Sequence, residues 1–114
     1  MNFKQKYELK ERLAESQRVL SKYPDRIPVI CEKARSSKLS DIDKNKYLIP
    51  EDLTLGQFVY VIRKRLKLPA EKGIFLFVGR SMQPSSSNMR VLYHSNHDND
   101  GFLYVTYSEE NVFG

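Results

Sequence analysis

Apolar positions change their period several times along the chain, and the changes mark out its elements. Between Phe3 and Tyr23, Leu9, Leu13, Ser16 and Leu20 recur in steps of four, three and four, with Tyr23 next in line and Lys, Arg and Glu between them. This predicts one amphipathic helix with a narrow stripe, stopped by Pro24-Asp25. Arg26–Lys33 alternates instead: Ile27, Val29 and Cys31 fall on one face of a strand, Pro28 and Ile30 on the other. Both faces are apolar enough to be covered, and Pro28 lacks a donor, so one side of the ladder is expected to be unpaired there. After a polar connection, Asn45–Ile49 predicts a short strand ended by Pro50. Thr54 and Gln57 have capping-box spacing, and Leu55, Phe58, Val59, Ile62 and Leu66 follow as one buried helical face. Pro69 is the expected stop. Ile74–Val78 is a continuously apolar strand, Gly79–Ser87 a loop, and Ser87 the cap of a short helix with Met89, Leu92 and Tyr93 inward. A turn at Asp98–Gly101 and an aromatic strand, Phe102–Tyr107, complete the pattern.

The order is helix, strand, strand, helix, strand, short helix, strand. The helical crossover between the second and third strands spans a whole sheet face. This is an α+β arrangement, a four-stranded mixed sheet with the main helix across it. It matches the ubiquitin-like β-grasp pattern, with a helical segment in front. The expected divisions are an N-terminal helical extension over 1–25, a β-grasp core over 26–108 and a mobile tail over 109–114, one domain in all.

At 114 residues, 40% hydrophobic and 29% charged, the chain is expected to fold around one core. Its single cysteine, Cys31, excludes an internal disulfide and a zinc site needing two thiolates. The longest apolar run, Ile74 to Val78, is far short of the roughly 20 residues of a membrane span. Met1–Lys10 is charged throughout, so no secretory leader is expected, and the cytoplasm is the expected location. A net charge of +5 favours an acidic partner: nucleic acid, anionic lipid or an acidic peptide.

Candidate chemistry is sparse. Asn96–Gly101 imitates the start of an EF-hand, but the twelfth position, where a bidentate Glu belongs, is Tyr107, so an Asx-rich turn is expected instead. His94 and His97 lie in a polar region and read as solvated. Cys31, on an apolar strand face, reads as a buried, inert thiol. With no phosphate-cradling glycine loop either, an enzyme is not expected, and no metal or cofactor is implied. The basic run Arg63-Lys64-Arg65 with Lys67 is either a solvated face or a contact for an acidic peptide. Nucleic acid is not expected, because no aromatic stacking motif accompanies these charges. The chain ends in Gly114, and a residue without a Cβ can thread a narrow enzyme channel and present its carboxylate for adenylation and thioester transfer.

The runs RIPVICEK (Arg26–Lys33), DIDKNKYLIPEDLTLGQFVYVIRKRL (Asp41–Leu66), LPAEKGIFLFV (Leu68–Val78) and DGFLYVTYSEENVFG (Asp100–Gly114) closely resemble the autophagy-related protein eight family. These ubiquitin-like modifiers include the GABA-receptor-associated proteins and the microtubule-associated light chains. The resemblance implies a β-grasp domain with two N-terminal helices. It also implies conjugation of Gly114 to phosphatidylethanolamine through thioesters on activating and conjugating enzymes, with a cysteine protease for deconjugation. The implied locations are the autophagosome membrane after lipidation, and the vacuole or lysosome on delivery.

The resemblance further implies binding of receptor and adaptor peptides with an aromatic residue, two spacers and an aliphatic residue. Asn45–Ile49 is short and ends at a proline, as an edge strand would, so such a peptide could add to it as another strand. By family matching, the aromatic pocket comprises Glu15, Val19, Pro28, Ile30, Lys46, Leu48 and Phe102. The aliphatic pocket comprises Tyr47, Ile49, Pro50, Leu53, Phe58 and Val61, with Phe58 equally readable as core. Arg26, Lys46 and Arg65 would attract the acidic flank, although Lys46 could equally guard the edge against stray pairing. A second ligand surface maps to Ile74, Phe75 and Leu76, a run more simply read as sheet interior. Two departures stand out. Tyr7-Glu8-Leu9 lacks the family's proline, so the first two helices are expected to run together, and Gly79–Ser87 differs from the usual loop. The alternative function is a noncovalent basic adaptor of microtubules or membranes with the same fold. Seven Lys/Arg against four acids in residues 1–26 would serve it.

Overall fold

The computed structural model describes residues 1–109. The N-terminal stretch forms two helices, α1 (Phe3–Lys6) and α2 (Leu9–Lys22), and not the single helix its stripe predicts. No proline is needed for the break. Tyr7 is extended (φ −128°, ψ 138°), the Glu8 N–H donates to Glu11 Oε1 at 3.2 Å, and Arg12 Nε donates to the freed Tyr7 carbonyl at 3.0 Å. The break turns α1 back over the sheet, where Phe3 is buried edge-on against Phe102, with 5.2 Å between ring centroids.

The strands are β1 (Arg26–Lys33), β2 (Lys46–Pro50), β3 (Phe75–Val78), β4 (Ser81–Met82) and β5 (Leu103–Ser108). Their order is β2-β1-β5-β3-β4, with β1 parallel to β5 and the other pairs antiparallel. The four expected strands are joined by β4, a two-residue hairpin partner of β3 inside the expected loop. Pro28 behaves as its chemistry requires. The Cys31 N–H donates to Asn45 O at 2.7 Å, so the odd-numbered amides of β1 face β2 and the even-numbered positions face β5. Pairing with β5 begins at Val29, one residue beyond Pro28, so the missing donor leaves no gap in that ladder.

Helix α3 (Leu55–Leu66) begins at the expected capping box, in which the Gln57 N–H donates to Thr54 Oγ1 and the Thr54 N–H to Gln57 Oε1. It ends two residues before Pro69, at Lys67 in the left-handed conformation (φ 56°), with Leu68 N–H closing on Arg63 O. Helix α4 (Met89–Asn96) is capped by Asn88, one residue later than expected, and Met89, Leu92 and Tyr93 point inward as predicted. Both helices pack on one sheet face. There Ile27, Val29 and Cys31 of β1 join Tyr47, Ile49, Leu76, Val78, Leu103, Val105 and Tyr107 in the main core. The opposite face carries a smaller cluster, Phe3, Ile30 and Phe102 with Tyr104 beside it, under the N-terminal helices.

Those helices are held by polar groups. In the α2 stripe, Ser16 is the only fully buried residue, and its hydroxyl donates to Asp100 O at 2.5 Å. The Asp100 carboxylate is itself wholly buried and accepts from Arg12 Nη1 at 2.6 Å, Tyr104 OH at 2.5 Å and the Phe102 N–H at 2.9 Å. Gly101 makes this approach possible. Its φ is +87°, and a Cβ there would overlap the Ser16 hydroxyl and lie 2.9 Å from Ser16 Cβ. Gly101→Ala should therefore cost about 1–3 kcal/mol of unfolding free energy in a denaturant titration. Gly79→Ala should cost less, because φ is +64° there but nothing lies within 4 Å of the added Cβ. Equal losses would show that the Ser16 contact relaxes freely.

Candidate functional site

Strand β2 is a sheet edge: among the described residues it pairs with β1 alone. The β1 amides that face it belong to Ile27 and Val29, opposite Ile49 and Tyr47, so those two β2 residues direct their backbone groups inward. Lys46 and Leu48 direct theirs outward, and Pro50 closes the edge without a donor. An edge of this kind is a template for another strand. The Arg26 guanidinium reaches the outward Leu48 carbonyl only at 3.4 Å.

Side chains on the two faces of β2 meet different helices. Leu48 lies across from Pro28, and Lys46 across from Ile30. Lys46 Nζ is 3.4 Å from Glu15 of α2. Pro28, Ile30 and Phe102 are fully buried and form a floor; Leu48, Val19 and Glu15 are half-buried and Lys46 is exposed. The expected aromatic pocket is thus gathered on the α2 side. A cavity of about 300 Å³ opens beside Glu15 and Lys46 and is also lined by Phe3, Tyr7, Glu11 and Arg12. Sequence reasoning missed those four: the break after Lys6 brings Phe3 and Tyr7 over this face, while Glu11 and Arg12 lie about one turn of α2 ahead of Glu15.

On the α3 side, Tyr47 and Ile49 are buried in the main core, Leu53 packs against it half-buried, and Val61 is 37% exposed. Strand alternation puts Pro50 on the Leu48 face, away from Tyr47 and Ile49. Phe58 is wholly buried and meets Tyr47 edge-on, with centroids 5.5 Å apart. It is a core residue that can offer a pocket only its floor. Tyr47 OH is buried without a hydrogen-bond partner among the described residues, and desolvation pushes its pKa up to about 12.

Two of the three expected flank cations are already paired. Arg65 holds Asp43 with two hydrogen bonds, 2.7 and 3.0 Å, which keep that carboxyl below its usual range. Glu15, lowered chiefly by Arg18 and further by Lys46, is the counterpart of Lys46. The basic run on α3 is divided. Arg63 donates to the carbonyls of Lys72 (2.5 Å) and Pro69 (2.9 Å) and ties down the turn after the helix, while Lys64 sits over the Tyr60 ring at 5.3 Å.

The proposed second surface is not one surface. Leu76 is buried in the main core with Ile74 packed on it, whereas Phe75, 38% exposed, points to the other face. The Asn96–Gly101 stretch is a tight turn in which Asp98 N–H donates to Phe102 O and Gly101 N–H to Asp98 O. Both histidines are exposed, and His97 stacks on Tyr93. Cys31 is wholly buried, and desolvation drives its thiol pKa far up, the opposite of an activated nucleophile. Among the described residues there is no group of three or more His, Cys, Asp or Glu able to hold a metal ion. Nor is any described helix long and apolar enough to cross a membrane. Gly114 lies outside the described residues. Because Phe58 is core, Phe58→Ala should lower the unfolding free energy by about 3–5 kcal/mol in denaturant titration. A loss below about 1 kcal/mol, together with weaker peptide binding, would return it to the pocket.

The sequence matches the family described as "Autophagy protein Atg8 ubiquitin like" over residues 11–114. It is 57% identical over 113 residues to the Autophagy-related protein 8 of Candida glabrata, covering 99% of this chain and 96% of that protein. It is 58% identical over 113 residues to Autophagy-related protein 8a of Arabidopsis thaliana, covering 99% of this chain and 93% of that protein. The fold superposes on the crystal structure of Trypanosoma brucei ATG8 with a TM-score of 0.91 at 41% identity, covering 95% of this chain and 93% of that one. With its ubiquitin-like sheet and two helices ahead of it, the chain belongs to the Atg8 family of autophagy proteins.

Proposed function

We propose that this protein is a lipid-conjugated modifier that recruits receptors by adding their aromatic-x-x-aliphatic segments to the edge of β2. The observation that carries the docking is the open edge of β2 with a different hydrophobic wall on each face. In an extended peptide, residues three apart point to opposite faces. An aromatic residue on the α2 face therefore places an aliphatic residue three positions later on the α3 face, between β2 and Val61. The spacing of the motif follows from strand geometry, and backbone bonds to Lys46 and Leu48 supply affinity independent of sequence.

The conjugation half rests on family membership and on the glycine at position 114. The Gly114 carboxylate would be adenylated, passed between enzyme thiols as a thioester and attacked by the amine of phosphatidylethanolamine, leaving an amide and a free thiol. A lipid with two acyl chains anchors a protein stably, which one short chain does not. The protein is then the substrate of these enzymes and of a deconjugating cysteine protease. It moves from cytoplasm to autophagosome membrane when lipidated, and on to the vacuole or lysosome.

Lys46→Glu combined with Leu48→Ala should weaken a fluorescent aromatic-x-x-aliphatic peptide at least about thirtyfold while the circular dichroism spectrum stays unchanged. Unchanged affinity in both anisotropy and calorimetry would remove the groove. Separately, incubation with the family's activating and conjugating enzymes, ATP and phosphatidylethanolamine liposomes should give a membrane-bound, mass-shifted product with the full chain and none without Gly114. No adduct, with peptide binding intact, would favour a noncovalent adaptor.

A further inference from the structure

The connection between β1 and β2 is laid against the end of β5. Its Ala34 N–H donates to Tyr107 O at 2.9 Å, and the Tyr107 hydroxyl donates to Ser40 O at 2.7 Å. Between these two bonds the connection turns back on itself. The Ser37 N–H donates to Ala34 O at 3.0 Å and the Leu39 N–H to Ser37 Oγ at 3.1 Å, with Ser37 and Leu39 both buried. Residues 34–40 are thus fixed to the sheet by Tyr107, a residue within β5. A third tie comes from the chain that leaves the sheet. Glu109, the first residue past β5, accepts the Lys38 N–H on Oε2 at 2.8 Å and the Ser108 hydroxyl on Oε1 at 3.3 Å. Its own amide, then the Ser37 hydroxyl, the Lys38 amide and the Ser108 hydroxyl hold this carboxyl down to about 2, so it is fully ionised at neutral pH.

We propose that Glu109 is a positioning residue for the conjugation proposed above: its carboxylate clamps the root of the C-terminal segment to the β1–β2 connection and gives Gly114 a fixed origin from which to enter the activating enzyme. The inference rests on the conjugation reading. The connection is held without Glu109, so the third tie serves the departing chain and not the sheet. It also chooses a side. β5 lies between β1 and β3, and the Lys38 amide draws the chain to the β1 side. Five residues lead from Glu109 to Gly114, and an extended chain covers at most about 3.6 Å per residue, so Gly114 works within about 18 Å of the clamp. An enzyme that grips the body of the protein and threads its last residues into a channel must bring both into register. Every residue not ordered beforehand loses its backbone freedom at that moment. The clamp removes this loss at the residue nearest the body, where an error in direction is carried furthest.

Amide exchange and adenylation kinetics test this. The Lys38 amide should exchange at least about tenfold faster in Glu109→Ala than in the unaltered protein, with the Ala34 amide unchanged. Equal rates at Lys38 would show that no clamp forms in solution. In adenylation, an oxygen of the Gly114 carboxylate bonds to the α-phosphorus of ATP and pyrophosphate leaves, so pyrophosphate release reports the rate. With the family's activating enzyme, Glu109→Ala should raise KM for the protein about five- to tenfold, the equivalent of ordering one residue's backbone, and leave kcat unchanged. Ser37→Ala removes a donor to the clamp from outside the tail and should raise KM about two- to threefold. The double variant should be no worse than Glu109→Ala alone. An unchanged KM in Glu109→Ala, or a fall in kcat instead, would overturn the positioning role. A rise in Glu109→Ala that Ser37→Ala does not share would make Glu109 a direct enzyme contact and remove the clamp. If the unaltered protein is not adenylated although its Lys38 amide is protected, the conjugation reading falls and the role of the clamp falls with it.

Discussion

The buried Asp100 carboxylate is the tie on which the α2 side of the groove depends. A carboxylate without solvent must have its lone pairs occupied and its charge balanced, and Arg12, Tyr104 and the Phe102 amide do both. Arg12 also satisfies the carbonyl left open where α1 ends, so one guanidinium serves the helix break and the anchor together. Glu15 and Val19 stand on the helix so fixed. Their distance from β2 is set less by apolar contact, which is sparse along the α2 stripe, than by a directional polar cluster centred on the turn before β5.

β1 explains why such a tie is required. It lies inside the sheet with apolar side chains on both faces, so a single helical layer cannot bury it. Helices α3 and α4 cover one face, and the N-terminal pair covers part of the other. Since β2 is the neighbour of β1, both layers end beside it. An edge strand between two covered faces acquires a wall on each side without any groove being built separately. The other edge, β4, is two residues long and exposed, too short to template a partner.

How far the sequence discloses this varies with the range of the interaction. The α3 capping box, the inward face of α4 and the alternation in β1 are local signals, and each is realised within a residue of where it was read. The break after Lys6 was not legible, because what stabilises it, Phe3 on Phe102 and Arg12 on Asp100, reaches across the length of the chain while the local pattern continues. Asp100 itself looked like one more acid in an Asx-rich turn. Ser16, an apparent polar interruption of the stripe, proves to be its most deeply buried member. At the candidate site, family matching selects residues that the fold gathers beside β2, but it does not separate floor from wall. Phe58 and Leu76 are apolar in sequence exactly as an exposed pocket residue would be, and only burial distinguishes them.

The charges along the edge bear on what a ligand's acidic flank could contribute in the proposed docking. Lys46 and Arg65 already hold Glu15 and Asp43. A ligand carboxylate would therefore exchange one exposed ion pair for another, a process with little net free energy, and would leave a protein carboxylate behind. The acidic flank is then better suited to steering the encounter, through the net charge of +5, than to holding the complex. Retention falls to groups that have no intramolecular substitute: the outward backbone of Lys46 and Leu48, the buried floor beside α2, and the apolar wall at Leu53 and Val61. Raising the salt concentration should accordingly slow association while leaving the dissociation rate nearly constant.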